Sequence, residues 1–153
     1  MSNVLDTLSK EEATLLEDLY LSLHGAAMRF AIVQQDISWF FAKNLPEDFE
    51  REIKDYLYPL EDLLSKLDRW ADRNYTVCGL PSSASELNDA IDLTKEARGR
   101  MKDFLQFYYT KILQYPYFYM LQNKGQVILD AMKALQTTLD ILTPLEQEIS
   151  RNE

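Results

Sequence analysis

The stretch DFLQFYYTKILQYPYFYM, residues 103–120, decides how many helices the chain makes. It holds Phe104, Phe107, Tyr108, Tyr109, Tyr115, Tyr117, Phe118 and Tyr119, nearly half of the 7 Phe, 9 Tyr and 2 Trp in the chain, and it contains Pro116. A proline lacks the backbone donor and crowds the preceding turn, so a helix ends at or before the residue in front of it. A second break, Asn123-Lys124-Gly125, follows closely. The pattern favours Pro116. Phe118, Leu121, Gly125, Ile128, Met132, Leu135, Leu139, Leu142 and Ile149 keep one heptad-like register straight across the glycine. A break at Pro116 also leaves four helices of similar length, as a bundle needs.

Working outward, helical periodicity dominates and strand alternation is nearly absent. The first helix is expected over residues 10–44. It opens with a capping box, Ser9 to Glu12, and runs through Leu15, Leu19, Leu23, Ala26, Phe30, Val33, Ile37 and Phe40 before Pro46. The second, over 47–78, starts with Pro46 and the carboxylates of PEDFERE at the positive end of its dipole. Its apolar line is Phe49, Ile53, Leu57 (or Tyr56), Leu60, Leu64, Leu67 and Trp70, with Pro59 inside it as an expected kink and Gly79 as an expected left-handed cap.

The segment LPSSAS is the clearest loop, and Ser83 with Glu86 repeats the capping-box spacing. The third helix is expected over 84–114, with Leu87, Ile91, Thr94, Ala97, Met101, Phe104 or Leu105, Tyr108 and Ile112 facing inward. The fourth is expected over 117–150, with TPLEQE either kinked at Pro144 or forming a short separate helix capped by Thr143. Short loops between long helices imply antiparallel neighbours. The expected fold is therefore an all-α, up-down-up-down four-helix bundle in a single domain spanning 1–153.

That topology brings the end of helix one, the start of helix two, the end of helix three and the start of helix four to one pole. Trp39, Phe40, Phe41, Phe49, Tyr56 and Tyr58 join the eight rings of the opening stretch there. Consecutive residues on a helix point about 100° apart, so neither Trp39-Phe40-Phe41 nor Phe107-Tyr108-Tyr109 can face wholly inward. Some of these rings are expected at a contact surface. The candidate binding residues are Trp39, Phe40, Phe41, Phe107, Tyr108, Tyr109, Tyr115, Tyr117 and Tyr119, where tyrosine and tryptophan suit a half-wet interface. The alternative is a pocket at the same pole for a small apolar ligand. Residues 25–42 point the same way, since their only charges are Arg29 and Asp36. A helix so apolar around its circumference is either central or covered by a partner.

Other chemistries find little support. The net charge of −9 disfavours nucleic-acid phosphates and anionic membranes, and suits a basic partner or solubility. A single cysteine, Cys78, leaves no internal disulfide and no cysteine-based zinc site. The start of the chain has no basic flank followed by an apolar run, and no apolar stretch is long enough to span a bilayer. A cytoplasmic protein is expected.

The one histidine, His24, lacks the Glu-x-x-His pairing of di-iron bundles, the lysine and glycine that follow the histidine of phosphotransfer bundles, and the preceding arginine of helical ribonucleases. The acidic motifs Glu47-Asp48-Phe49-Glu50 and Glu86-Leu87-Asn88-Asp89 resemble paired magnesium motifs of helical pyrophosphatases, but the topology sets them at opposite poles. Lys95, Arg98 and Lys102 form a secondary basic patch beside Arg100, with Asp92, Glu96 and Asp103 as neighbouring acids. No catalytic residue, metal or cofactor is expected. The reading is a non-enzymatic interaction module, with a protein partner or a second copy of itself.

Overall fold

The computed structural model describes residues 9–41, 45–77, 79–81 and 83–152, with only the backbone of Tyr117, Tyr119 and Met120. Four long helices carry the chain: α1 (Lys10–Ser38), α2 (Glu47–Thr76), α3 (Ala84–Phe107) and α4 (Lys124–Asn152). Contacts run around a ring, α1 to α2, α2 to α3, α3 to α4 and α4 back to α1, as an antiparallel up-down-up-down bundle requires.

Each helix turns one apolar line inward. On α1 it is Leu16, Leu19, Leu23, Ala26, Phe30, Val33 and Ile37. On α2 it is Ile53, Leu57, Leu60, Leu64, Leu67 and Ala71; on α4, Ile128, Ala131, Leu135, Leu139 and Leu142. The steps of three and four residues keep these side chains on one face, and their burial is the main driving force. Between α1 and α4 the core holds one polar contact, the Ser22 and Thr138 hydroxyls 2.7 Å apart, where Thr138 also donates to the Ala134 carbonyl. The helices start where the caps predict. Ser9 Oγ accepts the Glu12 amide at 3.0 Å and Ser83 Oγ the Glu86 amide at 3.3 Å. The Glu86 carboxylate meanwhile accepts the Trp70 indole N–H at 2.8 Å, tying the start of α3 to the last turns of α2.

Several boundaries differ from the sequence expectation. Pro59 and Pro144 lie inside α2 and α4 without ending them, so TPLEQE belongs to α4 and is no separate helix. Regular α1 stops at Ser38, and Trp39, Phe40 and Phe41 form a tight turn in which Phe40 and Phe41 donate to carbonyls three residues back. Residues 42–44 and Cys78, parts of the expected ends of helices one and two, lie outside the described residues. Gly79 does close α2, donating to the Asn74 carbonyl at 3.1 Å, but not through a left-handed φ.

The largest difference falls in the opening stretch. The third helix ends as α at Phe107 and continues as a π turn over Tyr108–Ile112, with the Leu113 amide bonded to the Tyr108 carbonyl five residues back at 2.9 Å. A 3₁₀ segment, Pro116–Leu121, interrupted at Phe118, then leads to α4 at Lys124. Both candidate breaks are therefore used: Pro116 ends the incoming helix, and α4 starts beside Gly125. The inward register read across the glycine survives at Phe118, Leu121, Gly125, Ile128, Leu135, Leu139 and Leu142, which are buried, whereas Met132 and Ile149 are only half-buried at its edge.

Candidate interaction surface

The rings do gather at one pole. Phe118, fully buried, lies 4.8 Å from Phe40, 6.2 Å from Phe49 and 5.8 Å from Tyr115, joining the segments after α1, in α2 and after α3. Phe49 stacks on Tyr115 at 5.2 Å, Tyr56 on Phe107 at 4.4 Å, and Phe104 meets Phe30 edge-on at 6.2 Å. These are the offset and T-shaped arrangements that aromatic pairs favour. Charges brace the rim: Lys54 sits 5.0 Å above the Phe41 ring, Lys111 pairs with Glu52 at 2.7 Å, and Lys124 pairs with Asp36 at 2.8 Å.

This geometry sorts the candidate binding residues. Phe107 and Tyr108 are buried, so neither belongs to a contact surface. Phe107 and Tyr108 are adjacent on a helix whose buried face is wide enough to take both, as it takes Ala90 and Ile91, and Tyr109 alone of the three faces solvent. Phe40, Phe41 and Tyr115 are half-buried against the core, and Trp39 is exposed with its ring edge-on to Phe40 at 5.5 Å. The side chains of Tyr117 and Tyr119 lie outside the described residues. Among the described residues the pole is thus mostly interior, with Trp39, Tyr58 and Tyr109 as its exposed rings.

Tyr108 shows how that interior is organised. Its hydroxyl donates to the Leu121 carbonyl, and the backbone N–H groups of Lys124 and Gly125 point at the same oxygen. A buried phenol therefore satisfies free donors at the head of α4, the role usually filled by a small capping side chain. Burial raises its pKa above the ordinary 10.0, a rise partly offset by the Lys124 and Gly125 amides. Gly125 packs closely against the two tyrosines, with Tyr109 meeting it through the outer end of a half-exposed side chain. A Cβ there would overlap the Tyr109 hydroxyl and lie 3.3 Å from the Tyr108 ring.

The secondary basic patch is engaged with its neighbours. Arg98 donates to the Gln136 amide oxygen of α4, and Arg100 pairs with Glu96 at 3.2 Å one turn away. Lys95 and Lys102 are exposed. His24 is held by Asp68 of α2, with Nδ1 and Oδ1 3.0 Å apart, and Tyr20 stacks on its ring. The acidic motifs sit at the starts of α2 and α3, at opposite ends of the bundle.

Of the outer face of α1, the sequence reading names Trp39 and the sparsely charged 25–42 stretch as a contact candidate, but not Leu21, Met28 or Ile32 individually. Leu21, Met28, Ile32 and Trp39 are 54 %, 47 %, 48 % and 62 % exposed. Their spacings of seven, four and seven residues place all four within about 20° of one line at 3.6 residues per turn. That line is diametrically opposite Leu19, Phe30 and Ile37 on the core side. Helix α1 therefore carries two apolar faces, one packed in the bundle and one turned to water. Two grooves flank the outer line. One of about 400 Å³ lies between α1 and α4 beside Leu21, and one of about 360 Å³ lies beside Trp39, Phe40 and Lys124. The near-absence of charge in residues 25–42 was the visible signal. Read as a heptad off the core line, it names Met28, Ile32 and Trp39.

No family model, curated protein or solved structure matches this chain. None of the described helices is long and apolar enough to cross a membrane.

Proposed function

We propose that the chain is a non-enzymatic protein-interaction module whose docking surface is the outer face of α1, ending in the exposed part of the aromatic pole. The observation that carries this reading is the line of four exposed apolar residues opposite the core face. Scattered exposed apolar side chains are ordinary. Four such side chains aligned over about 27 Å at helical spacing match the pattern of an amphipathic contact, where aromatic and methionine side chains are enriched. Trp39 and Tyr109 supply the amphipathic rings typical of contact anchors. The lone cysteine supports a reducing, cytoplasmic setting.

Hydroxyl-radical footprinting in expressing cells tests this reading. Met28 and Trp39 react readily when exposed, and Tyr58 of α2 is an exposed internal reference. The expected result is oxidation of Met28 and Trp39 in dilute purified protein and their protection in cells, with Tyr58 unchanged. Equal oxidation of all three in both settings would overturn it.

A further inference from the structure

We infer that the groove between α1 and α4 receives the C-terminal end of a partner chain. Its carboxylate sits on Arg29, and a lysine or arginine third from its end faces Asp18 and Asp140. This names the partner chemistry of the interaction-module reading above and rests on it. Asp18, Ser22, Gly25 and Arg29 follow at steps of four, three and four residues, so they share the flank of α1 that meets α4. Gly25 leaves that flank bare, and the Arg29 guanidinium folds back over it: a Cβ at Gly25 would lie 2.7 Å from one of its nitrogens. The head group is therefore laid along the groove, whose volume is about 400 Å³. Among the described residues Arg29, Asp18 and Asp140 form no ion pair.

The groove is charged at its two ends and apolar between them. Ser22 meets Thr138 across the antiparallel seam, so Asp140 and Ile141 stand toward the Asp18 end and Ala134 toward the Arg29 end. Leu21, Ala134 and Ile141 supply the apolar walls. From Gly25, where the guanidinium rests, to Asp18 is seven residues, about 10 Å along the helix. An extended chain advances about 3.3–3.6 Å per residue, so three residues cover that span. A planar guanidinium takes a carboxylate through two parallel N–H···O bonds, which suits a chain terminus. The carboxylates at the other end attract a cation and repel a second anion, so a phosphate or an acidic tail is a poor occupant. Asp140 already accepts the Gln136 amide at 2.9 Å, which leaves Asp18 the freer of the two. The groove borders the exposed Leu21, so a partner lying on the outer face of α1 reaches it with its tail.

Backbone-amide NMR titration of the full chain with acetyl-lysyl-alanyl-alanine, free at its carboxyl end, tests the assignment. The amides of Ser22, Gly25 and Thr137 are expected to shift. Capping the peptide as its carboxamide, or replacing Arg29→Gln, weakens binding about tenfold or more. Asp18→Asn lowers the affinity for the lysyl peptide toward that for acetyl-trialanine. Gly25→Ala separates binding from folding. Alanine favours the helix, so the melting temperature does not fall, while the displaced guanidinium binds the peptide more weakly. Equal shifts with the free acid and the carboxamide would overturn the role of Arg29. Equal affinity for the lysyl peptide and its glutamyl counterpart would overturn the role of Asp18 and Asp140. No shift at millimolar peptide would remove a chain terminus as the occupant, while protection of Met28 and Trp39 in cells reports separately on the docking face.

Discussion

Phe118→Ala is expected to lower stability by about 3–5 kcal/mol, the cost of deleting a fully buried aromatic ring. Phe118 touches Phe40, Phe49 and Tyr115 at once, so its ring closes the pole between segments distant in the chain. It also lies in a short segment whose backbone leaves helical geometry, with φ −99° and ψ 16°, so neighbouring helical turns do little to refill the void. For a domain of this size the loss lowers Tm by roughly 6–20 °C and removes a large part of a typical total stability of about 5–15 kcal/mol. Chemical denaturation of Phe118→Ala measures it. Trp39→Ala, a larger truncation a few ångströms from the same cluster, is the contrast. Its mostly exposed ring, edge-on to Phe40, predicts a loss of only about 0.5–1.5 kcal/mol in the dilute protein. Similar losses for the two variants would contradict the division of the pole into interior and surface.

Tyr108→Phe is expected to cost about 1–3 kcal/mol although its ring fills the same space. The phenylalanine leaves the Leu121 carbonyl without its donor, and the Lys124 and Gly125 amides without their acceptor, all at a buried helix start. The effect has a signature in alkali. Burial holds the Tyr108 pKa above 10.0 in the folded protein, while the unfolded chain ionises at the ordinary value. Between those two values the unfolded state binds fewer protons than the native state, so stability falls as pH rises. Below pH 10 the contribution is whole. Urea denaturation of wild type and Tyr108→Phe at neutral and alkaline pH separates this from the other tyrosines. The difference between the two proteins is expected to shrink as pH climbs past 10. A constant difference would remove the buried hydroxyl from the account.

The bundle was largely legible in the spacing of apolar residues, because burial of one stripe per helix is a periodic constraint that sequence displays directly. Leu19, Leu23, Ala26, Phe30, Val33 and Ile37 face inward as their spacing predicts, and the heptad across Gly125 marked buried positions even though α4 begins beside it. The path between Phe107 and Lys124 was not legible. A π turn and a 3₁₀ segment leave no periodic trace, and the fit of the Tyr108 hydroxyl over the head of α4 is a tertiary contact between a side chain and backbone groups more than ten residues away. The sequence reading places Phe107 and Tyr108 at the contact surface because three consecutive rings cannot all face inward; one of the three, Tyr109, does face out, and the buried face is wide enough to take the other two. Met28 and Ile32 were passed over for the opposite reason. An apolar residue on a helix full of apolar residues carries no label for inside or outside until the core face is known.

The central claim is that the outer face of α1 is covered by protein when the molecule works. Its most direct test is a photo-crosslinking side chain placed at Ile32 in living cells, with the exposed Lys66 of α2 as the control position. A discrete crosslinked species is expected from position 32 and none above background from position 66. A product of twice 17.9 kDa would identify a second copy as the occupant, and a discrete product of another mass a different protein. Position 32 giving no more product than position 66 would contradict the claim.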